Sequence, residues 1–173
     1  MLCGCRQSSL PTVEGSVIDA TIHSVTVQTS EGGSFSVSTL GTDPMLVPGV
    51  LPGDEVRIAY EILPDGETLH AVRLDITKPS AYRLLPGIWR DCSGEVEVGL
   101  VLAEDGSARS VGLAGLTLRD WSLDGDNLAL TAADPESPDG KVTLLYTIKQ
   151  LDVDSLILAT TEGDVCLTFS RAE

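Results

Sequence analysis

At 173 residues the chain has room for one large domain or two small ones, and an apolar fraction of 42% excludes wholesale disorder. Aromatic residues make up only 4%, so any core must be built from Val, Leu, Ile and Ala. The net charge of −15, divided −6 over residues 1–80 and −9 over residues 81–173, repels phosphate backbones and argues against nucleic acid, but suits a basic protein partner.

The chain opens on Leu2-Cys3-Gly4-Cys5, with a hydrophobic residue three positions before Cys5 and glycine directly before it. This resembles the lipobox of bacterial lipoproteins. The resemblance implies cleavage before Cys5, acylation of the new terminus and a membrane partner reached through acylated Cys5. It also implies a place in the cell envelope, with the lack of Asp at position 6 favouring the outer membrane. No basic and apolar leader precedes the motif, so Met1 reads as an internal start with signal residues missing before it. Arg6-Gln7-Ser8-Ser9 follows as a tether, and residues 1–12 form the lipobox remnant and its tether. No stretch of about 18 apolar residues follows, so no helix is expected to span a membrane.

Residues 13–77 form the first folded segment. Val17-Ile18-Asp19-Ala20 starts it, Thr21 to Ser24 turns, and Val25-Thr26-Val27-Gln28-Thr29 alternates as a half-buried strand does. Glu31-Gly32-Gly33 supplies a hairpin turn, and Phe35 and Val37 continue the inward face. After a loop rich in Pro and Gly, Glu55 to Tyr60 buries Val56, Ile58 and Tyr60. Pro64-Asp65-Gly66 then leads into His70 to Ile76, where Val72, Leu74 and Ile76 share a face. Five short strands, with Gly53-Asp54-Glu55-Val56-Arg57-Ile58 opening the fourth, resemble an oligonucleotide/oligosaccharide-binding (OB) barrel. Lys78-Pro79-Ser80 reads as the linker, because proline interrupts pairing.

Residues 81–173 alternate more cleanly and read as eight short strands, the smallest up-and-down barrel able to hold one small ligand. Glu95 to Leu102 sets Val96, Val98, Leu100 and Leu102 against Glu95 and Glu97. Ser107 to Val111, Leu116 to Leu123 and Leu128 to Ala132 follow. Lys141 to Gln150 buries Val142, Leu144, Tyr146 and Ile148, and Ser155 to Thr160 and Val165 to Arg171 complete the set. The fold class is therefore all-β: a small OB-like five-stranded barrel followed by an eight-stranded antiparallel barrel.

Four stretches of this half resemble the bacterial lipocalin-like (calycin) domains of Bacteroidetes lipoproteins. They are Leu85-Pro86-Gly87-Ile88-Trp89, residues 102–108, residues 121–128 and Leu151-Asp152-Val153-Asp154-Ser155-Leu156. Only Ser93-Gly94 links the first two strands, where secreted lipocalins carry a long lid. The resemblance implies a non-enzymatic barrel that takes a small apolar ligand. It also implies that Arg171 covers the ring of Trp89 at the barrel base, a placement parity permits.

The inward set Val98, Leu100, Trp121, Leu130, Leu144, Tyr146, Leu156 and Leu158 either lines a lipid-sized cavity or fills the barrel. A filled barrel with an exposed apolar patch would point instead to a protein-interaction or envelope-stress module. Closing the barrel brings its first and last strands together. Parity then places Cys92 and Cys166 on one outer face, where an oxidising envelope permits a disulfide. Catalytic parts are sparse: His23 and His70 lie on different strands, and no Cys-x-x-Cys, His-x-x-x-His or phosphate-cradling loop is present. Asp124-Gly125-Asp126-Asn127 reads as a hairpin turn rather than a calcium loop, so neither metal nor cofactor is expected.

Overall fold

A computed structural model describes residues 9–91, 98–112, 115–160, 163 and 166–172; its two compact units meet between Ser80 and Ala81. In the first unit, β1 (Thr12–Ala20), β2 (Ser24–Gln28), β3 (Ser34–Ser38), β4 (Glu55–Ile62) and β5 (Leu69–Lys78) form a closed barrel. Their order is β1-β2-β3-β5-β4, and β3 pairs β5 in parallel while the other neighbours are antiparallel. This is an OB-like five-stranded barrel. Its core is almost entirely β-branched: Val17, Val25, Val27, Val37, Val56 and Ile58, closed by Val47 from the β3–β4 connection.

β1 starts earlier than its apolar run, because Thr12 to Ser16 pairs along β4 from Ala59 to Glu55. Gly15 lies in that stretch because a Cβ there would run into the Gln28 carbonyl. β5 departs from simple alternation. Its register against β4 slips between Ala59↔Arg73 and Tyr60↔Ala71, so Ala71 is buried and Val72 is only half-buried. Strict alternation misplaces Val72 because a β-bulge inserts one residue on one strand and shifts the face that follows. Tyr60 is likewise half-buried, its ring tilted against Phe35 with centroids 5.1 Å apart. Asp54 is fully buried, and its carboxylate accepts the Leu51 N–H at 2.8 Å and the Ser80 N–H at 2.7 Å. Ser80, read from the sequence as plain linker, is thereby fastened to the barrel.

The second unit opens on a single helical turn, α1 (Ala81–Leu84), and continues through eight strands. These are β6 (Gly87–Asp91), β7 (Val98–Leu102), β8 (Ala108–Val111), β9 (Thr117–Asp124), β10 (Asn127–Ala133), β11 (Lys141–Leu151), β12 (Ser155–Thr160) and β13 (Cys166–Arg171). The sheet order β8-β7-β6-β13-β12-β11-β10-β9 joins the first strand of the unit to the last. Between the outer strands β8 and β9 the described residues make one isolated bridge, Ser107↔Asp120, beside a hydrogen bond from the Trp121 N–H to the Gly106 carbonyl at 2.8 Å. The sheet is therefore an antiparallel barrel closed except at this seam. Gly99 is buried opposite Arg90, where a Cβ would collide with the Trp89 carbonyl. Val142, expected inside, is 38% exposed. It lies at the rim, beyond the level at which Leu144 faces Leu130.

Candidate ligand cavity

The base of the second barrel is built around Trp89, Trp121 and Arg171. Trp89 is fully buried and its indole N–H donates to the Leu85 carbonyl at 2.8 Å. The structure brings Arg171 over it, with the guanidinium carbon 4.2 Å from the ring centroid. Direct pairing of Arg171 with Trp89 across β13 and β6 sets this approach. The same guanidinium donates to the carbonyls of Leu84, Pro86 and Val153, so one cation ties α1, the start of β6 and the β11–β12 turn together. Gly87 (φ +146°) leaves the space the guanidinium occupies. Trp121 is buried, donates its indole N–H to the Ala103 carbonyl at 2.8 Å and meets the Tyr82 ring at 6.5 Å.

Toward the opposite end the core is not filled. A cavity of about 80 Å³ lies among Val98, Leu100, Leu116, Leu130, Leu144 and Leu158, with Tyr146, Leu167, Phe169 and Asp91 completing its wall. Six of the eight residues expected to line a cavity do so: Val98, Leu100, Leu130, Leu144, Tyr146 and Leu158. Trp121 and Leu156 do not. Trp121 belongs to the base, and Leu156 pairs with Leu151 and Phe169 at the start of β12, below the cavity. Alternation assigns a side chain to the inner face but says nothing of its height along the barrel axis. Leu116, Leu167, Phe169 and Asp91 were missed, although three of them carried a signal: Asp91 has the parity of Trp89, and Leu167 and Phe169 that of Arg171. Among the described residues of the wall, Asp91 alone carries a formal charge, at the end of β6.

The other expected sites divide by position. Cys5 lies outside the described residues, and so does Cys92. The expected disulfide partner Cys166 is exposed and carries a free thiol, which corrects its assignment to a bridge. The described register explains the difference in part: β13 meets β6 at Ser170↔Arg90 and Arg171↔Trp89, beyond Cys166. His23 is exposed on the β1–β2 turn and His70 sits half-buried on β5. Among the described residues no group of three or more His, Cys, Asp or Glu is placed to hold a metal ion.

Acidic turns brace both barrels. The Thr68 hydroxyl, and then the Thr68 and Glu67 N–H groups, hold Asp65 below the usual carboxylate range. Asp105 is lowered chiefly by Ser107, and Asp152 chiefly by the Gln150 amide and then the Asp154 N–H.

Comparison with known proteins gives two findings. The family model described as lipocalin-like matches residues 82–172, more than half of the chain. The crystal structure of a lipocalin-like protein from Bacteroides thetaiotaomicron VPI-5482 aligns at 25% identity, covering 50% of this chain and 95% of that one, with a TM-score of 0.40. No curated protein matches the chain.

Proposed function

Since the chain belongs to the lipocalin-like family, we propose that its second barrel is a non-enzymatic binding module that takes a small apolar ligand in the cavity beside Leu130, Leu144 and Leu158. The cavity itself carries this reading. Leucine side chains form most of its wall, and Asp91 and Tyr146 supply polar groups that can orient a ligand head. Volume limits the ligand. An engineered apolar cavity of about 150 Å³ accepts benzene, and this one, at about 80 Å³, is roughly half as large. The fitting occupant is a slim one: the end of an alkyl chain or a molecule of a few heavy atoms.

The proposed setting is the cell envelope, at the outer membrane, with the chain anchored through an acylated Cys5. The support is the Leu2-Cys3-Gly4-Cys5 motif and the tether after it. Two acyl chains on one terminus hold far more firmly than one. Expressing the full precursor with Cys5→Ala should move the protein from the membrane to the soluble fraction; unchanged fractionation would remove this part of the reading.

Native mass spectrometry of protein purified from its own host tests the binding function. The expected spectrum shows an adduct of defined mass that disappears when Leu144→Trp fills the cavity. An adduct retained by a folded Leu144→Trp protein, or none in the parent, would contradict it.

A further inference from the structure

We propose that the first barrel carries a separate docking surface, a groove that receives an apolar peptide segment bearing Lys or Arg from a partner protein. The groove is about 700 Å³ and runs between the β1–β2 turn and the β3–β4 connection. Val25 and Val47 form its floor, and Ile22, Leu40, Pro44 and Val50 its walls. Two of these wall residues stand out of the barrel: Ile22 is 85% exposed and Leu40 62% exposed. Met45, on the same connection, is 91% exposed.

Large apolar side chains left in water at this density mark a contact surface. Their placement on projecting turns, and not at the bottom of a pit, fits a macromolecular segment laid across them better than a small molecule sinking between them. The walls are also fixed in advance. The Thr39 N–H donates to the His23 carbonyl at 2.8 Å, joining the two sides of the groove. The Leu74 N–H donates to the Leu46 carbonyl at 2.8 Å, pinning the connection to β5. The Asp43 carboxylate accepts the Met45 N–H at 2.9 Å. A surface held this way loses little freedom when a partner arrives.

Charge selects the partner. No Lys or Arg occurs between Arg6 and Arg57, whereas the exposed Asp19, Glu31 and Asp43 all fall in that interval. Every lining residue of the groove comes from this cation-free stretch. The basic residues described in the unit, Arg57, Arg73 and Lys78, already lie against Glu14, Asp75 and Glu55. A cationic segment is drawn to such a surface. An anionic bilayer is repelled by it, as is a second copy of a chain carrying −15.

The test uses the full chain and a labelled synthetic peptide of alternating Leu and Lys, followed by fluorescence anisotropy. Leu/Glu and Gly/Lys peptides of equal length serve as controls. The Leu/Lys peptide should bind at least about tenfold more tightly than either control. Ile22→Ser combined with Leu40→Ser should weaken it by at least about tenfold, with the circular dichroism spectrum unchanged because both side chains are exposed. Leu145→Ser, which removes an exposed leucine from the other barrel, should leave binding as it was. Equal binding of the Gly/Lys peptide, or undiminished binding by the double variant, would overturn the proposal. So would a dimer in sedimentation velocity that the double variant abolishes, since the occupant would then be a second copy. Binding to phosphatidylcholine vesicles lost in the same variant would overturn it in favour of a membrane.

Discussion

Arg171 joins three parts of the second barrel, and its energetic weight follows from what it leaves behind when removed. Arg171→Met strips a cation from the Trp89 face and deprives three carbonyls of a charged donor. We expect a loss of about 2–4 kcal/mol in urea denaturation. Arg171→Lys should recover little of it, because one ammonium cannot span three carbonyls and lie flat on an indole. A loss under about 1 kcal/mol would show that the pair is ornamental to stability. In the first barrel the buried Asp54 holds two backbone N–H groups, and Asp54→Ala should cost about 1–3 kcal/mol by leaving both unpaired. The exposed turn carboxylates predict a pH effect of defined sign. Asp65, Asp105 and Asp152 are lowered on folding from an ordinary value of 3.8. A depressed carboxylate stabilises the fold above its unfolded pKa, and that contribution is lost as pH falls through the folded value. The urea midpoint should therefore drop below about pH 4, and Asp152→Asn should flatten the drop relative to the parent. Relief of the −15 self-repulsion acts in the opposite sense, which is why the comparison is made between variant and parent.

At the scale of strands, alternation of period two carried most of what could be read in advance. It located all eight strands of the second barrel and the inner faces of β7, β12 and β13, because β7 pairs with β6, and β12 with β13, in unbroken register. It failed where backbone geometry breaks the period or where position along the axis matters. The β5 bulge buries Ala71 instead of Val72, and Trp121 and Leu156 face inward at the wrong level to touch the cavity. The burial of Asp54 was hidden because its partner Ser80 lies 26 residues away. The exposure of Ile22 and Leu40 was hidden because a turn's sequence does not say whether another element covers it. Within the cavity, Leu130→Ala should cost about 2–5 kcal/mol, the usual range for a buried leucine. It should also enlarge the space enough for benzene to raise the melting temperature of the variant and not of the parent. A variant that benzene fails to stabilise would mean that the core collapses to fill the gap.

Taken whole, the molecule consists of two units with separate apolar cores and an acidic surface throughout. Each unit offers a different kind of site: an apolar cavity of about 80 Å³ in the second barrel and an open groove on the first. The cavity is proposed to bind the end of an apolar chain. The most direct measurement is a methyl-resolved NMR titration of the full chain with straight-chain alcohols of increasing length. Saturable shifts are expected at the methyl groups of Leu100, Leu130, Leu144 and Leu158. Affinity should tighten about fourfold for each added methylene, from roughly 0.8 kcal/mol per buried CH₂, and then level off once the cavity is full. Leucine methyls of the cavity that do not move, or an affinity independent of chain length, would contradict it.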